Sequence, residues 1–327
     1  AVRRFARRLG LPVVHTFMGK GILPDSDPLS LHTLGLQARD YVATVVEQAD
    51  VVIAVGYDFV EYAPWYWNPN RDKRIVHVDV LPAEVDAHYI VEVGVLGDLA
   101  LCLEQIGEGL SPFDQAWAQR ARHTVVGGFE AELAVAPTFP IRPQHVIREL
   151  RAALSDDDIV VCDVGAHKLW MARMYPCEVP TTCIISNGFA SMGIGLPGAI
   201  AAKLLYPPRQ VVTVTGDGGF LMNAQELESA VRLALPIVAL VWRDNGYGVI
   251  RWKQMLRFQR VSSVDFGNPD LVAFAKSFGA EGFRVAAADE LGPILKEALV
   301  CGRPAVIDCP VDYAENQRLS ERLKALA

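Results

Sequence analysis

Short runs dominated by apolar residues return along this chain, and they constrain its fold more than any other feature. Residues 51–55 (Val-Val-Ile-Ala-Val), 159–162 (Ile-Val-Val-Cys), 211–215 (Val-Val-Thr-Val-Thr), 237–242 (Ile-Val-Ala-Leu-Val-Trp) and 305–308 (Ala-Val-Ile-Asp) show no polar alternation. Such runs suit strands buried on both faces, as in a parallel sheet covered by helices. Residues 12–16, 75–80 and 182–185 read as further strands, with helix-like stretches between them. The expected class is therefore α/β, with two doubly wound parallel-sheet domains.

A length of 327 residues suits two domains. Residues 1–110 are expected to form the first: a helix to Leu9, a strand at 12–16, a helix over 38–48, strands at 51–55 and 75–80, and a helix over 98–108. From 111 to 140 the strand pattern stops, and Pro137, Pro140 and Pro143 punctuate the end, which predicts a linker. Residues 141–327 carry the remaining strands and form the second domain. The chain starts at Ala1, already inside a basic amphipathic helix pattern, so it reads as a piece of a larger protein.

Composition narrows the function. Lys+Arg 31 against Asp+Glu 38 gives a net charge of −7, and no basic run is present, so nucleic acid is not an expected partner. The most apolar stretch, 188–205, is interrupted by Ser191, Pro197 and Lys203 and fails as a membrane span. No secretory signal opens the chain. Six cysteines without Cys-x-x-Cys spacing read as buried thiols of a cytoplasmic protein.

The chemistry concentrates in one region. A strand at 211–215 runs into Gly216-Asp217-Gly218-Gly219, and residues 223–235 read as the following helix. Glycines let backbone N–H groups approach an anion, and a helix N-terminus adds a favourable dipole. The next strand, 237–242, ends at Asp244-Asn245-Gly246-Tyr247. Adjacent parallel strands would bring Asp217 and Asn245 within reach of one ion, at the sheet edge where ligands collect. Magnesium prefers six oxygens, which a carboxylate, an amide oxygen, a backbone carbonyl (taken as that of Tyr247), a water and two diphosphate oxygens would supply. Each piece alone is an ordinary helix cap or turn. Both together, at the ends of consecutive strands, favour a metal–diphosphate site.

Here the sequence resembles the thiamine-diphosphate-dependent enzymes. Gly216-Asp217-Gly218 through Asp244-Asn245 is similar to their cofactor motif, with Asp244 where an Asn often stands. Asp163-Val-Gly-Ala-His-Lys-Leu-Trp170 resembles the acetolactate synthase segment around the diphosphate, which implies diphosphate contacts at Ala166, His167, Lys168, Gly216, Gly218 and Gly219. The run Ser186 to Pro197 resembles the segment holding the aminopyrimidine ring. It implies that the Ala190 carbonyl accepts from the 4′-amino group and that Met192 wedges the cofactor into its bent form. On their own, His167 is an ordinary polar residue at a helix start, Met192 core filler, Lys168 surface and Trp170 core.

Phe17-Met-Gly-Lys-Gly21, Val55 to Tyr62 and His77 to Pro82 resemble the central domain of acetolactate synthases, and Val264-Asp-Phe-Gly267 and Pro310-Val-Asp-Tyr313 resemble the FAD-independent catabolic type. No Gly-x-Gly-x-x-Gly follows a strand of the first domain, which argues against dinucleotide binding there. The resemblance implies a carboligase condensing two 2-oxo acids, pyruvate first, with loss of carbon dioxide, using thiamine diphosphate and Mg2+ and working as a homodimer or homotetramer. It places the activating glutamate in a further, N-terminal domain, so no residue of this chain is assigned as catalytic. Residues 249–254 depart from the catabolic pattern, which leaves another 2-oxo acid decarboxylase or carboligase, or a non-catalytic cofactor-binding module, as alternatives. Trp252 is open between substrate contact and packing.

Overall fold

A computed structural model describes every residue except 36–39 and 325–327. The chain forms two compact units, the first built mainly from residues 1–130 and the second from 131–177 and 181–322. Both are α/β with parallel sheets.

The first unit contains α1 (Val2–Leu9), β1 (Val13–His15), β2 (Ser30–Thr33), α2 (Tyr41–Val46), β3 (Val51–Val55), β4 (Arg74–Asp79), β5 (Val91–Leu96), α3 (Leu99–Glu108) and most of α4 (Ala116–Leu133). Among the described residues its strands form two parallel sheets, β1-β2 and β3-β4-β5. Of the helix expected over 38–48, residues 38 and 39 lie outside the described residues; the rest begins where the Asp40 carboxylate caps Ala43 N–H at 2.9 Å.

Two expectations change here. The run 51–55 is not buried on both faces: in β3 only Ala54 is buried and Val51 is exposed, because an apolar run does not specify what covers it. The stretch expected as linker contains the 18-residue helix α4, whose Ala121, Val125 and Phe129 are buried with Val42, Val45, Ile75 and Tyr89 in the first unit's core. Spacings of four place these three side chains on one helix face.

The second unit follows the expected strands closely. It holds α5 (Pro143–Ala153), β6 (Ile159–Cys162), α6 (Ala166–Met174), β7 (Cys183–Ile185), α7 (Gly195–Leu205), β8 (Val211–Gly216), α8 (Asp217–Met222), α9 (Glu226–Arg232), β9 (Val238–Arg243), α10 (Gly248–Phe258), α11 (Leu271–Ser277), β10 (Glu281–Arg284), α12 (Leu291–Val300), β11 (Ala305–Pro310) and α13 (Ala314–Lys324). One parallel sheet runs in the order β10-β11-β9-β8-β6-β7. Residues 159–162, 211–215, 238–242 and 305–309 are all buried, as their composition predicts. Each buried Val, Ile or Leu contributes on the order of 1.5–3 kcal/mol. One side of the core joins Ile159, Val161, Ala239 and Val241 to Leu196 and Ala199 of α7, Leu227 of α9 and Leu271 of α11.

The helix after the glycines differs from expectation. It starts at Asp217 itself, stops at Met222, and resumes as α9. At the break, the Asn223 side-chain amide donates to the Gly193 carbonyl at 2.9 Å.

Candidate functional site

The chain leaves β6 through α6 to β7 on one side, then passes back through α7 to β8 on the other. The strand order therefore reverses between β6 and β8, and the C-terminal ends of such strands form a crevice where ligands bind. Every candidate residue for the metal or the cofactor lies on a segment leaving β6, β7, β8 or β9.

Asp163, directly after β6, organises this edge. Its carboxylate is buried and accepts from Val164 N at 2.6 Å, Gly193 N at 2.9 Å, Gly195 N at 3.2 Å and Thr215 Oγ1 at 3.1 Å. One side chain thus ties the loop before α7 and the end of β8 to β6. Gly193 has φ 88°, in the left-handed region that a side chain disfavours, which suits glycine at this turn.

Beyond Asp163, α6 opens at Ala166. The His167 ring is 1% exposed and packs closely on Gly165 and Gly216. It lies edge-on to Trp242 with centroids 6.3 Å apart. Burial holds its pKa down to about 4, so it is neutral near pH 7, and its Nε2 has no hydrogen-bond partner. Lys168 is buried rather than on the surface. Its ammonium donates to Ser186 O at 3.2 Å and Asn187 Oδ1 at 2.7 Å, tying α6 to the segment after β7. Trp170 is core, with Nε1 donating to Asn316 Oδ1 at 2.7 Å.

Ala190 and Met192 sit on that segment, both partly exposed. Ala190 has φ 53°, a strained value for a residue with a Cβ. β6 stands between β7 and β8, and the loop carrying Ala190 and Met192 reaches across it through Gly193, whose N–H donates to Asp163 and whose carbonyl accepts from Asn223.

The pair Asp217 and Asn245 is brought together. β8 and β9 are adjacent and parallel, with Gly216 opposite Trp242. Asp217 is 1% exposed; its Oδ1 accepts from Gly218 N at 2.9 Å and its Oδ2 from Asn245 N at 2.7 Å. Asn245, at φ 57°, turns its side chain back toward Asp217, a conformation asparagine tolerates. Asn268 Nδ2 lies 2.7 Å from Asp217 Oδ2 and 2.9 Å from Asn245 Oδ1, so both oxygens face one point. The Tyr247 carbonyl already accepts from Arg251 N at 2.9 Å, which uses one of its two lone pairs. Gly218 and Gly219 lie in the first turn of α8, where a Cβ on Gly218 would come within 3.0 Å of the Tyr247 ring.

The electrostatics favour a cation. Burial raises the Asp217 pKa, and burial together with the charge of Asp217 pushes Asp244 up to about 7. Two buried carboxylates that resist ionising together mark a site that positive charge would stabilise. Arg251 supplies part of it, donating to Asp244 Oδ2 at 2.7 Å while also pairing with Asp265. Among the described residues no group of three or more His, Cys, Asp and Glu is arranged around one metal point. Asp217 and Asn245 bring together a carboxylate and an amide oxygen, hard oxygens of the kind Mg2+ prefers. A cavity of about 330 Å³ opens beside them, lined by Arg243, Asn245, Asn268, Asp270, Arg284 and Asp308.

The bonding roles of Asp163, Asn268 and Arg251 were not expected. Trp252, left open, donates to Ser320 Oγ at 2.9 Å and packs on α13. Glu228 pairs with Arg232 on the exposed face of α9. Four of the six thiols are buried and two partly so. No helix among the described residues is long and apolar enough to cross a membrane.

Known proteins bear on this geometry. The family model described as "Thiamine pyrophosphate enzyme, central domain" matches residues 1–106, and "Thiamine pyrophosphate enzyme, C-terminal TPP binding domain" matches 163–309, which includes every residue of the site just described. The chain is 38% identical over 325 residues to a protein named acetolactate synthase from Bacillus subtilis, covering 98% of this chain and 57% of that one. It is 37% identical over 284 residues to a catabolic acetolactate synthase of Raoultella terrigena, covering 85% and 51%. A probable acetolactate synthase large subunit of Methanocaldococcus jannaschii is 31% identical over 332 residues, covering 95% and 55%. The chain therefore spans little more than half the length of these relatives.

Proposed function

This chain belongs to the thiamine pyrophosphate enzymes, and we propose that it is the cofactor-holding part of an acetolactate synthase-like carboligase. The reaction joins two 2-oxo acids, pyruvate first, with loss of carbon dioxide. One observation carries the reading: Asp217 Oδ2 and Asn245 Oδ1 face a common point at the ends of adjacent strands, inside the matched cofactor domain.

In this reading Asp217, Asn245 and the Tyr247 carbonyl hold Mg2+. Gly216, Gly218 and Gly219, with the backbone of Ala166, His167 and Lys168, receive the diphosphate, where first-turn N–H groups of α6 and α8 meet its charge. The Ala190 carbonyl accepts from the aminopyrimidine, and Met192 supports the bent cofactor. When bound, thiamine diphosphate supplies a nucleophilic carbon and an electron sink for decarboxylation.

This chain's residues orient and seal. Asp163 fixes the loop carrying Ala190 and Met192 relative to β6 and β8. The Lys168 ammonium fixes the start of the same loop. Neutral His167, packed on Trp242, keeps the floor of the diphosphate turn dry without adding charge. The activating glutamate belongs to a domain outside this chain, and the working form is a homodimer or homotetramer. Free buried thiols support a cytoplasmic setting.

Calorimetric titration with thiamine diphosphate, with and without Mg2+, tests the reading. Binding should require Mg2+ and weaken at least about tenfold in Asp217→Ala, the loss of one charged ligand at about 1.4 kcal/mol or more. Mg2+-independent binding, equal in the variant, would refute it.

A further inference from the structure

Asn268 stands against the two side-chain oxygens proposed to hold the cation. Its Nδ2 is 2.7 Å from Asp217 Oδ2 and 2.9 Å from Asn245 Oδ1, so one amide group donates to both oxygens assigned as metal ligands. Two acceptor oxygens facing one point need either a donor or a cation between them, and here the amide is that donor. The other end of the same amide shows a second, independent feature. Asn268 Oδ1 is buried and has no hydrogen-bond partner. A buried acceptor without a partner costs about 1–3 kcal/mol, which makes it a candidate for a ligand.

The backbone holds Asn268 at this place. Tyr247 N donates to Val264 O at 2.9 Å and Phe266 N to Asn245 O at 3.2 Å, pinning residues 264–266 on the loop after β9. On the other side, Pro269 restricts Asn268, and Asp270 caps α11 through Val272 N and Ala273 N. With both flanks fixed, the side chain moves by its own torsions, of which the terminal one is soft for an amide.

Resting on the metal-site reading above, we propose that Asn268 is a third side chain of the cation site. Before the cation arrives its amide nitrogen holds the two ligand oxygens in place. When a divalent, oxygen-preferring cation binds those two oxygens, the neighbouring NH2 hydrogens face positive charge. A half-turn of the amide then brings Oδ1 to the cation or to a water bound on it. Asn268 is thus a placeholder in the empty site and an acceptor in the filled one.

The test is Mn2+ binding followed by electron paramagnetic resonance, with melting temperature measured alongside, on this chain with thiamine diphosphate present. Wild type is compared with Asn268→Asp, Asn268→Ala and Asp217→Ala. A carboxylate in place of the amide should tighten Mn2+ about tenfold, since added ligand charge strengthens such sites, and removal of the side chain should weaken it about fivefold. Without metal, Asn268→Asp should melt below wild type, because three carboxylates then crowd together, and Mn2+ should restore it. Asn268→Ala would report the affinity change if Asn268→Asp failed to fold. Binding unchanged in both Asn268 variants but lost in Asp217→Ala would overturn the inference and leave the metal-site reading standing. No saturable binding in wild type, or binding unchanged in Asp217→Ala, would overturn the metal-site reading and this inference with it.

Discussion

Replacing Asp163 by asparagine should loosen the cofactor loop without changing the shape of any side chain. The carboxylate accepts from Val164 N, Gly193 N, Gly195 N and Thr215 Oγ1, two of these on Oδ1 and three on Oδ2 with Gly193 shared. An amide keeps one acceptor oxygen and puts an NH2 where the other stood. If the oxygen stays at the Oδ2 position, the NH2 faces Val164 N–H; if it stays at Oδ1, the NH2 faces Gly195 N–H. Either way at least one buried N–H loses its acceptor and the remaining bonds lose their charge assistance. Hydrogen bonds to a charged partner contribute about 1.5–3 kcal/mol, so Asp163→Asn should cost about 2–4 kcal/mol. A domain stabilised by about 5–15 kcal/mol survives this, so the variant should fold. Urea unfolding followed by circular dichroism measures the loss. Hydrogen exchange of the peptide covering 186–196 should show faster exchange in the variant, and thiamine diphosphate should bind more weakly. A loss under about 0.5 kcal/mol with unchanged exchange would refute the organising role given to Asp163.

Other substitutions and conditions make separate claims. Gly195→Ala would place a Cβ 2.5 Å from Thr213 Oγ1, so it should cost about 1–3 kcal/mol; the double variant with Thr213→Ala should recover part of this in urea midpoints, and strict additivity would count against the clash. Trp252→Phe loses the bond to Ser320, about 1 kcal/mol, with preference among 2-oxo acids unchanged; altered preference at equal stability would assign Trp252 to the substrate instead. In the first unit, burial first, then the charges of Lys20 and Arg122, lower the His32 pKa to about 4 against the pull of Asp25, and burial lowers His15 as well. The unfolded chain therefore takes up protons before the folded one as pH falls. The stability His32 contributes is complete above about pH 6.5 and is lost between 6.5 and 4, at most about 3 kcal/mol. Denaturation at pH 7.5, 6 and 4.5 should give a steeper loss in wild type than in His32→Asn, and parallel curves would refute the burial argument.

How much of this was legible in the sequence depends on how far each residue's partners lie along the chain. The strands of the second unit could be read because their runs are apolar on both faces and the sheet buries both. The same pattern at 51–55 overstates burial, since it carries no information about what covers β3. β10, Glu-Gly-Phe-Arg, is an edge strand whose polar residues imitate a loop. α4 was missed because residues 111–140 were read by the end of the strand pattern and the closing prolines, and the helix also carries Gly127-Gly128. A Cβ on Gly128 would lie 2.6 Å from the Tyr41 ring, so glycine here lets an aromatic side chain approach the helix. At the site, Asp217 and Asn245 were legible because each follows an apolar strand, and consecutive strands can be neighbours. The bonding roles of Asp163 and Asn268 were not, because their partners lie far along the chain. The donors to Asp163 lie as far as 52 residues away, and Asn268 meets Asp217 across 51 residues. Spacing along the chain can show which residues neighbouring strands bring together, whereas the side chains that hold those residues in place are set by tertiary contact, and only a folded chain reveals which they are.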